Sequence, residues 1–295
     1  MAADGGDSQV SEKDLSQDSN CFKAILFCFV LAITYVGSLY IWKKMNHRDH
    51  PLTVKRRFVS VFVVAIISPF LTYFGTNFNY FKENPGILEL LGIRWSGCIA
   101  ALTIPLLLTM VLFFGPLFMH YIDGICTIYF ETTYWSTNLR NLIWLRNHIV
   151  APFSEEFTFR ACMLPILVPC FGASMSILIC PLFFGLAHLH HLWERLIIGT
   201  NIKHAVLQSL FQLVYTTIFG MYSAYLFIRT DHFLAPFLVH AFCNHMGFPD
   251  FGEIFVHPRP TRVFIMIAFI SGLLTWVTLL EPCTRPYLFH NNVYA

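Results

Sequence analysis

Long uncharged stretches alternate with short polar segments along most of this chain. The stretches without any Asp, Glu, Lys or Arg include Phe58–Asn77, Ser96–Met119, Ala205–Ile228 and Val263–Leu280. Each is close to the ~20 residues that an α-helix needs to cross the hydrocarbon core of a bilayer. Their apolar residues do not alternate with polar ones, which argues against transmembrane strands. The pattern predicts an all-α fold, a polytopic transmembrane helical bundle.

About eight spanning helices are predicted, and they account for most of the chain after residue 20. They cover residues 21–42, 58–77, 96–119, 149–168, 171–190, 204–228, 232–249 and 263–281. Residues 1–20 are polar and acidic, which is typical of a disordered tail. Residues 21–295 are therefore predicted to form a single transmembrane domain without a separate soluble domain.

The amino-acid composition also indicates a membrane protein. Of the 295 residues, 56% are hydrophobic and 12% are charged, whereas soluble domains carry about 25% charged residues. The formal net charge of +2 is too small to indicate nucleic-acid binding. The nine cysteines are scattered without a CxxC pair, so we expect free thiols within helices and not a disulfide framework.

Orientation follows from the basic residues of the first loop. This loop has one acidic residue, Asp49, against six basic ones: Lys43, Lys44, Arg48, Lys55, Arg56 and Arg57. Loops with such an excess stay in the cytoplasm. With eight alternating crossings, residues 120–148, 191–203 and 250–262 are predicted to lie on the same side.

Three charged residues interrupt the fourth predicted span. Glu155, Glu156 and Arg160 lie near its cytoplasmic start, although a charge at the bilayer centre costs ~2.5–3.5 kcal/mol on insertion scales. Glu156 and Arg160 are four residues apart and share a helix face, so they can pair. Glu155 is about 100° away around the helix and has no such partner.

Further polar side chains are predicted at the same depth. His188 ends the fifth span, and His240 and Asn244 lie one turn apart in the seventh. Glu, His, His and Asn on three helices suggest a wet cavity that supports chemistry. The plainer alternative is a pair of structural glutamates braced by neighbouring helices.

Several kinds of chemistry fit such a cavity. A carboxylate and a histidine can deprotonate water and later protonate a leaving amine, while a second histidine and an asparagine can stabilise an oxyanion. This set suits amide hydrolysis. The same side chains could hold a metal ion, or relay protons in a transporter. The sequence lacks HExxH, GxSxG and an intramembrane GxGD pair.

Three motifs in this order resemble a known signature. EExxxR at 155–160, FxxxH at 184–188 and HxxxN at 240–244 are similar to those of the CPBP/ABI family of glutamate-dependent intramembrane proteases. The stretches FGLAHLHH, YTTIFGMYSAYLFIRTDH and HAFCNHMGFP resemble the type II CAAX endopeptidases within that family. The resemblance is strong over about 140–250, which would be the catalytic core.

The resemblance implies a function and a role for each motif residue. Members remove the last three residues from Cys-a-a-X proteins after prenylation of the cysteine. Glu155 would then be the water-activating base and His188 its partner. His240 and Asn244 would stabilise the oxyanion, and Glu156 and Arg160 would orient the site.

The resemblance also implies partners, a location and the absence of a cofactor. The partners would be prenylated CAAX proteins such as Ras-like small GTPases, together with membrane lipid, and no nucleic acid. The location would be the endoplasmic reticulum membrane, with the active site facing the cytosol. No cofactor is implied, although the sequence leaves zinc open. The remaining alternatives are a proton-coupled transporter and a membrane methyl- or acyltransferase acting on lipidated proteins.

Overall fold

The computed structural model describes the backbone of residues 7–42 and 48–294, with side chains from Cys21 onward. The α-helices are α1 Asp7–Ser38, α2 Pro51–Gly75, α3 Ile87–Leu90, α4 Cys98–Leu112, α5 Phe114–Ile122, α6 Thr132–Arg140, α7 Leu142–Leu145, α8 Ala151–Glu156, α9 Leu164–Ala187, α10 His190–Ile197, α11 Ile202–Thr230, α12 Leu234–Met246 and α13 Arg259–Cys283. The described residues contain no strand, so the all-α prediction is confirmed. The acidic tail stays a prediction, and Lys43 and Lys44 lie outside the described residues.

The outward faces of the long helices are apolar. Phe62 and Phe70 on α2, and Ile267 and Leu274 on α13, are exposed although they are large hydrophobic side chains. In water this much apolar surface would drive association, whereas lipid chains solvate it. Together with the length of these helices, this identifies a multi-pass membrane protein.

The number of full-length spans differs from the eight predicted. In the described part of the chain, five helices are long and apolar enough to cross a membrane, or six if the bent pair α4 and α5 counts as one span. The predicted seventh span is the 13-residue helix α12, which extends only about 20 Å at 1.5 Å per residue. The predicted fourth span is divided by turns that are not α-helical, described below.

Gly172 separates the fourth and fifth predicted spans. Its φ of 72° and ψ of 167° interrupt α9, a conformation that glycine adopts without steric cost. The residues on either side run antiparallel, since the Cys180 thiol donates to the Phe159 carbonyl at 2.7 Å and the Phe159 and Phe184 rings lie 5.2 Å apart. The two predicted spans are thus the arms of one helical hairpin.

A disulfide lies beside this turn. Cys21 at the start of the first span and Cys170 are bonded, with Cα atoms 5.3 Å apart. The expectation of free thiols is wrong for this pair, because the hairpin turn brings together two cysteines that are 149 residues apart in sequence. The other seven cysteines are free, as expected.

The loops predicted to share one side of the membrane contact one another. Arg146 pairs with Asp49 of the first loop at 2.8 Å. Glu194 of α10 pairs with Arg57 at 2.7 Å. The bundle therefore gathers the first loop, the 120–148 segment and the 191–203 segment around the end where α8 begins.

Candidate active site

Two π-helical turns enclose the acidic motif. Arg146–Val150 and Phe157–Cys162 are π-helical, and the short helix α8 lies between them with Glu155 and Glu156 at its end. The sequence predicted a continuous α-helix here. A π turn changes the angle between successive side chains and is frequent at functional sites. Glu155 and Glu156 are adjacent on α8 itself, so their side chains point about 100° apart into different surroundings.

Glu156 is fully buried and has several partners. Its Oε1 lies 3.2 Å from Arg160 Nη1 and 2.7 Å from His240 Nδ1, and its Oε2 accepts a hydrogen bond from the Ser223 hydroxyl. A buried carboxylate is stable only when its charge is compensated and its oxygens are hydrogen-bonded. Glu156 therefore serves as the centre of a polar network and not as a reacting group.

Arg160 is also fully buried and depends on this carboxylate for its charge balance. Its nitrogens make no hydrogen bond within the described structure, although Nη1 lies 3.2 Å from Glu156. The guanidinium lies over the Phe184 ring at 4.1 Å and near the Phe219 ring at 6.0 Å, which provides cation–π stabilisation. The arginine holds α8, α9 and α11 together below the glutamates.

Gly220 leaves the room that this guanidinium needs. A Cβ atom at Gly220 would lie 2.9 Å from Arg160 Nη2 and 2.9 Å from Pro181 Cβ. We expect Gly220→Ala to destabilise the protein by about 1–3 kcal/mol because the added methyl overpacks a full site. The measurement is the apparent Tm of the purified protein. Gly37→Ala is the matched control, since a Cβ there meets nothing within 4 Å, and an equal loss in both variants would contradict the packing argument.

Glu155 faces a cavity, unlike its neighbour. Its side chain keeps 18% exposure, and it lines a cavity together with His188. The ionisable side chain within 4.0 Å of it in the described structure is His240, whose Nε2 lies 3.7 Å from Glu155 Oε2. That distance is too long for a direct hydrogen bond. Glu155 is the carboxylate that can reach a substrate.

His240 connects the two glutamates. Its Nδ1 donates to Glu156 at 2.7 Å, while Nε2 is directed toward Glu155. With Nδ1 protonated, Nε2 accepts a hydrogen bond when the ring is neutral and donates one when it is charged. The Glu156 carboxylate orients the ring. The ring is further enclosed by Phe219, at 4.7 Å between centroids.

His188 has a fixed orientation beside Glu155. Its Nδ1 donates to the Phe184 carbonyl at 2.8 Å, which leaves Nε2 as a proton acceptor. Among the described residues there is no ion pair of His188 with Glu155 within 4.0 Å, so the predicted partnership would need a water between them. The predicted roles of both residues stay predictions.

Asn244 lies at the edge of this arrangement. It is exposed, and its Nδ2 donates to the Asn147 carbonyl at 2.9 Å. This bond ties α12 to the first π-helical turn and leaves one further N–H on the carboxamide. The six predicted site residues thus gather in one region, but Asn244 is less enclosed than Glu155 or His240.

Several residues of this region were not predicted from the sequence. Ser223 on α11 binds Glu156, and the Tyr35 hydroxyl lies 3.0 Å from the Ser154 hydroxyl below the cavity. Arg48, Arg57 and Arg146 line the cavity mouth. A serine within an apolar span is a weak sequence signal for a buried polar contact, and it could have indicated the role of Ser223. From the sequence, the arginines could be interpreted only as part of the positive charge of the loops, and not as residues of the cavity.

In the described part of the chain, the group of side chains that could be tested as a metal site includes none of the six predicted site residues. Within the described chain, the side chains grouped closely enough for a metal ion are His190, His191 and Glu194, with ligand atoms within 4.8 Å of one another. Glu194 already accepts from Arg57 at 2.7 Å and from Tyr40 at 2.9 Å. A divalent cation would face the Arg57 charge across that carboxylate, so the residues present do not fit a metal.

Comparison with known proteins places this geometry in a family. The family model described as Type II CAAX prenyl endopeptidase Rce1-like matches residues 137–246, which include Glu155, Glu156, His188 and His240. A human protein named CAAX prenyl protease 2 is 41% identical over 276 residues, covering 91% of this chain and 83% of that protein. Proteins of the same name from Caenorhabditis elegans and Saccharomyces cerevisiae are 33% and 30% identical, covering 85% and 80% of this chain and 93% and 83% of those proteins.

No solved structure matches the chain significantly. The similarity to the human protein nevertheless extends over 91% of this chain. An identity of 41% over that length indicates a shared fold. It includes the hairpin, the π-helical turns and the helices that carry His188 and His240. The chain therefore belongs to the Rce1-like family of type II CAAX prenyl endopeptidases.

Proposed function

We propose that this protein removes the C-terminal tripeptide from prenylated CAAX proteins, with Glu155 as the base that activates water. CAAX endopeptidase activity follows from membership of the family. The observation that supports the assignment of the base is the contrast between two adjacent carboxylates. Glu156 is buried and fully partnered, whereas Glu155 borders a cavity and faces a histidine nitrogen at 3.7 Å.

The proposed reaction uses these side chains in sequence. Glu155 accepts a proton from water, and the hydroxide formed attacks the carbonyl carbon of the scissile peptide bond. The resulting oxyanion accepts a hydrogen bond from His240 Nε2 in the charged form of the ring, assisted by the Asn244 carboxamide. Collapse breaks the C–N bond, and the proton passes to the leaving amine through Glu155 and His188.

An apolar groove beside the cavity suits the prenyl chain. It is lined on one side by residues of α2, including Phe58 and Phe62, and on the other by Ile149 and Phe153. Phe58 also lines the catalytic cavity, so the two spaces are adjacent. An isoprenoid bound in this groove would leave the apolar lipid for an apolar protein surface. Its cysteine would then lie close to Glu155. Each buried CH₂ contributes roughly 0.8 kcal/mol relative to water.

The basic first loop supports the proposed orientation of the active site. The cavity opens at the end of the bundle where the basic first loop lies, and basic loops face the cytoplasm. We infer an active site that faces the cytosol in the endoplasmic reticulum membrane, with Ras-like small GTPases among the substrates. All of the relatives named above are proteases, and no observation favours a transporter or a transferase.

The direct test uses a farnesylated CAAX peptide and the same peptide without the prenyl group. We expect purified protein to release an intact tripeptide from the farnesylated peptide only, as measured by mass spectrometry. We also expect the rate to be unchanged by a chelator, because the only metal-capable group in the described chain is occupied by Arg57 and Tyr40. Loss of activity on chelation with recovery on adding zinc would contradict the water-activating role of Glu155.

A further inference from the structure

A cluster of arginines lies at the mouth of the catalytic cavity and takes no part in the proton transfers described above. Arg48, Arg57 and Arg146 line the same cavity as Glu155 and His188. They come from separate elements, namely the first loop, the start of α2 and the first π-helical turn. Cations drawn from distant parts of the chain to one opening indicate an anion-binding role.

The local carboxylates leave part of this charge uncompensated. Arg57 pairs with Glu194 at 2.7 Å and Arg146 pairs with Asp49 at 2.8 Å. Among the described residues, no ion pair of Arg48 within 4.0 Å accompanies these two. Glu155 lines the same cavity, but none of the three guanidinium groups forms an ion pair with it within 4.0 Å in the described structure, so Arg48 has the geometry to pair with a bound carboxylate.

The cluster is also strained electrostatically and incompletely hydrogen-bonded. The pKa of Arg48 is lowered by loss of solvent around it and then by the nearby charge of Arg146. Arg57 is more than nine-tenths buried, and its Nε has no hydrogen-bond partner in the described structure. An anion that enters the cavity would relieve the repulsion and could supply the missing acceptor.

The reaction itself brings a carboxylate to this place. An enzyme that releases a tripeptide must locate the bond three residues from the chain end. Three extended residues span at most about 10 Å. When the scissile bond lies at Glu155, the terminal carboxylate therefore lies within about 10 Å of it, and the arginines line the cavity that Glu155 lines. Guanidinium groups match carboxylates because they can donate two parallel hydrogen bonds.

We propose that Arg48, Arg57 and Arg146 bind the free C-terminal carboxylate of the substrate and thereby fix the cleaved bond at the third residue from the end. This specificity site rests on the proposed function and adds to it. The apolar groove holds the prenyl end of the peptide, and the arginines hold the carboxylate end. The scissile bond then lies between these two binding sites, next to Glu155.

The first test needs no variant. Two farnesylated CAAX peptides are compared, one with a free C-terminal carboxylate and the other with a primary amide of nearly the same shape. We expect kcat/KM to be about 10- to 100-fold lower for the amide, which is the usual size of a hydrogen bond to a charged group. Equal cleavage of the two peptides by the natural protein would overturn the proposal.

The second test assigns the effect to the arginines. Arg48→Gln and Arg146→Gln should lower kcat/KM for the acid by about tenfold or more while leaving cleavage of the amide nearly unchanged, so that discrimination disappears. The matched control is Arg140→Gln on α6, which is not among the residues lining the cavity. Its discrimination should equal that of the natural protein.

The outcomes separate this proposal from the proposed function. If variants that retain the natural Tm lose acid and amide cleavage equally, the arginines have a general structural role and the proposal is wrong. If the natural protein cleaves neither farnesylated peptide, the proposed function itself fails, and this specificity site with it. Retained cleavage with a selective loss for the acid supports both.

Discussion

Replacing Glu155 with Gln should abolish tripeptide release while leaving the fold intact. Gln keeps the shape of the side chain but cannot accept a proton from water. General bases contribute roughly 10²- to 10⁴-fold to rate, so kcat for the farnesylated peptide should fall by that factor. Glu155 has no direct hydrogen bond to its ion-pair partner, since His240 Nε2 lies 3.7 Å away, and the apparent Tm should therefore stay within about 1 °C of the natural value.

Controls for this variant test the base and its histidine partner. Glu131→Gln, at an exposed position outside the cavity, should retain full activity. His188→Ala should lower kcat with a small effect on the Tm, because the described residues give the His188 ring one hydrogen bond, to the Phe184 carbonyl. Near-normal turnover by Glu155→Gln would show that another group activates the water.

The adjacent substitution Glu156→Gln should instead destabilise the whole protein. It removes the only carboxylate within 4.0 Å of Arg160 in the described structure and the acceptor for His240 Nδ1. Breaking a buried ion pair from one side costs about 3–5 kcal/mol. We expect a lower Tm, lower yield and loss of activity together, which thermal unfolding and the peptide assay would measure side by side.

A double substitution separates stability from catalysis at this position. Glu156→Gln combined with Arg160→Met removes both buried charges and keeps similar volume, so the Tm should recover a substantial part of the loss. Activity should not recover, because His240 still lacks the carboxylate that orients it. If the double variant is no more stable than Glu156→Gln alone, then the ion pair is not what Glu156 contributes.

These two predictions assign different roles to two adjacent glutamates. Glu156 is placed at the junction of three helices, where Arg160, His240 and Ser223 surround it. Glu155 is placed one residue earlier on the cavity wall. Both lie on the short helix α8, where successive side chains point about 100° apart, so the two carboxylates enter different surroundings.

Part of the site could be predicted from local spacing. The Glu156–Arg160 pair follows from the four-residue spacing, and the structure has it at 3.2 Å. The grouping of Glu155, His188 and His240 at one level follows from the order and direction of the spans. The spacing of residues along a helix predicts the ion pair. The order and direction of the spans predict the grouping of the three side chains.

Other features could not be predicted because they depend on contacts between distant segments. The pairing of His240 with both glutamates joins residues 84 positions apart, and the arginine cluster joins the first loop to the turn before α8. The disulfide between Cys21 and Cys170 likewise depends on the turn at Gly172. No periodicity records which side chains face one another across a helix interface.

The sequence by itself determined the class of the protein, since lipid tolerates only helices with satisfied backbone groups and long apolar stretches. It also determined which helices carry the polar side chains and their approximate depth. Only the tertiary structure decided which glutamate is buried and which borders the cavity, how the histidine lies between them, and which loop cations reach the opening. The reason is that burial and partner choice are set by packing between helices, and packing is a property of the whole assembled bundle.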